Sequence, residues 1–77
     1  MEKLREILRD HGKLSADALA LPQDADLFGA GLTSFATIQV MLAIEDAFGV
    51  EIPDDKLNRK TFASLRALDE VIRGLQA

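Results

Sequence analysis

The feature that most constrains this chain is a stretch with no period. Residues 14–33 follow neither a helical nor a strand repeat, and they contain Pro22, Gly29, Gly31 and scattered aspartates. A connection of that length is uncommon in a small domain, and it is usually functional or disordered. Leu19, Leu21, Leu27 and Phe28 favour a loop packed onto a core. The segment before it is helical in pattern. Leu4, Ile7 and Leu8 fall at helical spacing with His11 next in the stripe, so residues 2–11 read as an amphipathic helix. Gly12 suits the position just past its end, with Leu14 folding back beside it.

A second helix is expected from Ser34. Its hydroxyl precedes a periodic apolar run and can accept from orphan N–H groups as an N-cap. Gly49 ends that helix, and Val50–Pro53 is extended because residues before proline avoid the helical region. Asp54 then caps a short turn, Asp55 to Asn58. Thr61 or Ser64 opens the last helix, whose stripe is Leu65, Leu68, Ile72 and Leu75. Nothing alternates as a strand, and no repeat or low-complexity tract is visible. The expectation is an all-α fold in one domain spanning 1–77, because 77 residues hold only one thin core.

The second helix carries the most information. At about 100° per residue, Val40, Met41, Ile44 and Phe48 share a core face. Ala36, Ala43 and Ala47 lie along its side. The opposite side holds Gln39, Leu42, Glu45 and Asp46, with Phe35 and Ile38 among them. Apolar residues inside an acidic stripe fit a partner-docking face ringed by acids. The plainer alternative is that Phe35 and Ile38 pin the long loop.

Composition narrows the chemistry. With no cysteine there is no disulfide, no thiol nucleophile and no thiolate metal site. With no Trp or Tyr and four Phe, a base-stacking platform for nucleic acid is not expected. The net charge of −4 points the same way. The acids concentrate in residues 24–58, a surface suited to cationic partners. No apolar run long enough for a membrane span and no secretory leader is apparent, so the expected location is cytoplasmic and no membrane partner is expected.

Ser34 is the candidate site residue. It is a poor candidate for a nucleophile, since the sole histidine, His11, lies on another helix. It can instead be a substrate: a phosphate ester there would meet free N–H groups at the positive helix end, worth about 0.3–1 kcal/mol. Asp24 and Asp26 resemble the start of a calcium loop, but the closing glutamate is missing. Lys56, Arg59 and Lys60 read as solvated surface.

The run Leu27-Phe28-Gly29-Ala30-Gly31-Leu32-Thr33-Ser34-Phe35, followed by Ile44-Glu45-Asp46-Ala47-Phe48-Gly49-Val50-Glu51-Ile52-Pro53-Asp54, closely resembles an acyl carrier protein. The pattern is Phe-x-x-Gly-x-x-Ser, a helix, then Glu-x-x-Phe-x-x-x-Ile-Pro. It is strongest over residues 26–58. The resemblance implies a four-helix bundle, three main helices and one short, with a long first loop. It implies a non-enzymatic carrier whose Ser34 receives a 4′-phosphopantetheine arm from coenzyme A through a phosphopantetheinyl transferase. The arm's thiol then holds an acyl or aminoacyl group as a thioester. Carried over by position, the partner contacts are Phe35, Ile38, Leu42, Glu45 and Asp46.

Two departures point to a subgroup. Thr33-Ser34-Phe35 stands where the family usually has Asp-Ser-Leu, and Ala36 and Gln39 stand where fatty-acid-synthesis members carry acids. The stretch Leu32–Ala36 and the run Asn58–Ser64 are similar to bacterial carriers loaded by amino acid–carrier protein ligases, which resemble the catalytic part of seryl-tRNA synthetases. The other possibility within the family is a specialised acyl carrier served by acyl-transfer enzymes. A monomer is expected in either case. Outside the family, the alternative is an unmodified helical interaction module with an acidic docking face, in which Ser34 is only a cap.

The helical wheel separates two classes of substitution. Val40→Ala and Phe48→Ala should destabilise by about 1–5 kcal/mol through cavity formation. Phe35→Ala and Ile38→Ala should weaken partner binding more than folding. Melting temperatures and partner affinities of the four variants check this.

Overall fold

The apolar stripes of three helices meet in one core. The computed structural model describes residues 2–76: α1 (Glu2–His11), α2 (Ser34–Phe48), a 3-10 turn (Asp54–Lys56) and α3 (Leu65–Gln76). Leu4, Ile7 and Leu8 of α1 face Ala36, Val40 and Ile44 of α2 and Leu65, Leu68 and Ile72 of α3. All nine are buried. No strand occurs among the described residues, and no helix among them is long and apolar enough to cross a membrane. The short element is a single 3-10 turn with no buried residue, and the core is built by the three α-helices together with Ala18, Leu27, Leu32, Ile52 and Phe62 of the connections.

Several ends differ from expectation by one residue. Gly12 donates its N–H to the Leu8 carbonyl at 2.8 Å, which continues the helical ladder. The left-handed position falls on Lys13, at φ 52°. A Cβ on Gly12 would stand 2.7 Å from the Leu8 carbonyl oxygen, so close approach to α1 favours glycine there. The short turn begins at Asp54 and not after it, with Lys56 N–H donating to the Pro53 carbonyl at 2.9 Å. Of the two candidate openings for α3, Ser64 is the cap: its Oγ accepts from Ala67 N–H at 3.1 Å. Met41 and Phe48, expected on the core face, are only half-buried at its edge.

The Gly12–Thr33 connection is ordered by specific ties. Leu27 is wholly buried, and its N–H donates to the Ala63 carbonyl at 2.8 Å. The guanidinium of Arg5 on α1 donates to the carbonyls of Ala18 and Leu21. Ser15 donates both N–H and Oγ–H to the Ala30 carbonyl at 2.8 Å. Arg66 pairs with Asp24 at 2.9 Å. Leu19, expected to help pack this segment, is instead exposed.

The C-terminal end of α2 is secured three times. Gly49 adopts φ 66° and donates to the Glu45 carbonyl at 3.0 Å, a left-handed stop that suits glycine. The Glu45 carboxylate then accepts the Ile52 N–H at 2.8 Å and ties the departing chain back to α2. Lys3 of α1 donates to the Ala47 carbonyl at 3.1 Å, placing a cation at the negative end of α2.

Glu45→Ala removes the acceptor of the Ile52 N–H and should destabilise by about 1–3 kcal/mol. Asp46→Ala, at an exposed neighbour, should stay within about 0.5 kcal/mol of wild type. Urea unfolding midpoints of the two variants provide the comparison.

Candidate functional site

The turn that delivers Ser34 is built from its own sequence. Asp26 accepts the Phe28 N–H through Oδ1 at 3.1 Å, and Leu32 N–H closes onto the Leu27 carbonyl at 3.0 Å. Gly31 lies at φ 111°, and a Cβ there would come within 3.0 Å of Ser15 N. The glycine of the Phe-x-x-Gly-x-x-Ser pattern is thus required by both backbone conformation and space. Leu27 and Leu32 are buried on either side of the turn.

The cap of α2 is Thr33, not Ser34. Thr33 is extended, at φ −102° and ψ 163°, and its Oγ1 accepts the Ala36 N–H at 3.0 Å. Ser34 is the first helical residue and is exposed. Its carbonyl accepts from the Thr37 hydroxyl, and among the described residues nothing engages its own side-chain oxygen. The expectation that Ser34 caps the helix is corrected by one residue. The correction matters chemically, because a capping hydroxyl is occupied whereas this one is free.

Ser34 opens on a groove of about 480 Å³. Ile38 and Met41 of α2 form one wall, and Phe28, Leu57, Arg59 and Phe62 form the others. Arg59 is not simply solvated as expected: its guanidinium carbon lies 4.0 Å from the Phe28 ring centroid. No sequence signal singles out this pairing, which joins residues far apart in the chain.

The five expected docking residues lie along α2 in different surroundings. Phe35 is 69% exposed, and Ile38 and Leu42 are each 52% exposed. Ile38 borders the groove beside Ser34. Leu42 and Asp46 border a second, shallower recess together with Ile7 and His11. The Glu45 carboxylate is turned to the Ile52 backbone. The exposed row is therefore apolar along most of its length, with Asp46 as the outward-facing acid. Asp24 and Asp26 are each committed to structure, and no group of three metal-ligating side chains occurs among the described residues.

The family model for the phosphopantetheine attachment site matches residues 2–68. The chain belongs to the phosphopantetheine carrier proteins. It is 47% identical over 70 residues to an aminoacyl carrier protein of Agrobacterium fabrum, covering 91% of this chain and 84% of that one. It is 38% identical over 55 residues to an acyl carrier protein of Sinorhizobium fredii, covering 70% and 68%. Its fold matches, with TM-score 0.88 and 46% identity, a chain in a crystal structure of an engineered Bradyrhizobium japonicum glycine:[carrier protein] ligase complexed with a carrier protein from Agrobacterium tumefaciens and AMP. That match covers 92% of this chain and 95% of the other.

Members of this carrier family bear a covalent 4′-phosphopantetheine arm, transferred from coenzyme A by a phosphopantetheinyl transferase. The residues here fit such a group: an exposed, unengaged serine hydroxyl stands at the mouth of a largely apolar groove that holds one cation. The resident alcohols are distinguished by their engagement. Thr33 Oγ1 caps α2 and Ser64 Oγ caps α3.

This division predicts unequal stability effects for adjacent alcohols. Thr33→Ala should cost about 0.5–2 kcal/mol as a lost cap. Ser34→Ala should change stability by less than about 0.5 kcal/mol. In a domain of this size each kcal/mol moves the melting temperature by about 4–8 °C, so thermal melts resolve the two.

Proposed function

We propose that this chain is an aminoacyl carrier protein and that Ser34 is the anchor of its arm. The observation that carries the anchor is the free Ser34 hydroxyl one residue past the Thr33 cap, at the mouth of the groove. Loading forms a bond from Ser34 Oγ to the phosphorus of coenzyme A that bears the pantetheine. The pyrophosphate bond breaks, adenosine 3′,5′-bisphosphate leaves, and the serine proton passes to a base of the transferase. When bound, the arm supplies the thiol that this cysteine-free chain lacks, and the cargo rides on it as a thioester.

Kinship with an aminoacyl carrier protein and with a carrier solved beside a glycine ligase supports amino acid cargo. The physical argument agrees. An aminoacyl thioester carries an ammonium that is costly to bury, and the groove beside Ser34 offers it apolar walls and a like charge, Arg59. Such cargo stays in solvent. Recognition then falls on the exposed row of Phe35, Ile38 and Leu42, with Asp46 steering cationic groups and Glu45 holding the end of α2.

The protein on this reading is a single, monomeric, non-catalytic domain over 1–77, acting in the cytoplasm. Its 3-10 turn stands as the short fourth member of the bundle. The lack of catalysis is supported by His11, which opens on the recess beside Leu42 and not on the groove beside Ser34.

Incubation with coenzyme A and a broad-specificity transferase should add one phosphopantetheine by intact mass, and Ser34→Ala should gain none. The holo-protein should then be charged by an amino acid–carrier protein ligase with ATP and glycine or alanine, and poorly by malonyl-transfer enzymes. Modification persisting in Ser34→Ala would overturn the anchor. Efficient malonyl loading without an aminoacyl product would return the chain to the ordinary acyl carriers.

A further inference from the structure

The groove beside Ser34 has an unusual charge. The protein carries a net −4, yet no carboxylate lines this groove, and Arg59 is its only charged side chain. Arg59 is held by stacking, 4.0 Å above the Phe28 ring. A cation–π contact restrains the guanidinium without using its N–H donors. Arg9, Arg66 and Arg73 each pair with an aspartate, whereas no carboxylate among the described residues pairs with Arg59. An oriented, unspent guanidinium is suited to a phosphate oxygen.

Resting on Ser34 as the anchor, we propose that Arg59, held over Phe28, is a positioning residue that draws the arm's phosphodiester onto this groove. Four features combine in the argument. Ser34 and Arg59 border the same space. The phosphodiester is an anion fixed at Ser34 by its covalent bond. The groove wall is uniformly free of competing acids. Beyond Arg59, Ile38, Met41 and Phe62 present apolar surface to the dimethyl-bearing part of the arm. The result is an arm laid along the carrier between transfers, pre-positioned beside α2 where a partner docks. The anchor determines where the arm is attached, and Arg59 determines where it rests.

The test uses the full-length holo-protein, with loading first verified by intact mass. In wild type, nuclear Overhauser contacts should join the arm's geminal methyls to the Phe28 and Phe62 rings. Arg59→Gln should lose at least about half of that intensity, and Arg59→Lys should retain more of it than the glutamine variant. Salt near 1 M, where the screening length is about 3 Å, should weaken the contacts in wild type. Arg59 is exposed, and a melting curve for each variant verifies the fold. Loaded protein without these contacts, or contacts of equal intensity in Arg59→Gln, would overturn the proposal. Failure to load at all strikes the anchor at Ser34 and not the role of Arg59, so the two failures are separate.

Discussion

The burial of Leu27 is the constraint on which the rest depends. Its side chain is wholly enclosed, and its backbone N–H is spent on the Ala63 carbonyl at the entrance to α3. Together with the ties from Arg5 and Arg66, this residue fastens the long connection to the helices. From that fixed point the turn closes through Leu32 onto the Leu27 carbonyl, and Gly31 supplies the positive φ that the return needs. Thr33 then emerges extended and caps α2. The location of Ser34 follows from this sequence of local constraints, with no hydrogen bond from Ser34's own side chain to another described residue.

The helix that follows divides its surface sharply. Ala36, Val40 and Ile44 are buried in the core shared with α1 and α3. Phe35, Ile38 and Leu42 stand in solvent. Large apolar side chains at that exposure leave much of their area uncovered by the fold. The acids expected to ring them are fewer than the sequence implies, because Glu45 closes the α2 C-terminus through Ile52. Asp46 is then the outward-facing acid of a row that is otherwise apolar.

The two ends of α2 are thereby given different tasks. The N-terminal end is left open: the cap is made by Thr33, and Ser34 keeps a free hydroxyl beside the groove. The C-terminal end is closed by Gly49, Glu45 and Lys3 together. The ties are thus concentrated at the far end of the helix and on the loop that precedes it, and the end that bears Ser34 stays accessible.

The sequence by itself determined the helical class, the stripes of all three helices, the Gly49 stop and the serine pattern. These are local properties, because periodicity and capping act over a few residues. It also pointed to Ser34 through spacing that spans only the loop and one helix. It placed the cap on Ser34, one residue late, since both Thr33 and Ser34 carry hydroxyls with the needed chemistry and only the backbone angles decide. It treated Glu45 as a free acid and Arg59 as solvated surface, because nothing local distinguishes a free charge from an engaged one. The tertiary structure decided these: Glu45 bonds to Ile52 seven residues on, and Arg59 meets Phe28 only after Leu27 and Ala63 bring the loop to the α3 entrance. Contacts between distant segments depend on how the whole core closes, and that closure is what the tertiary structure adds.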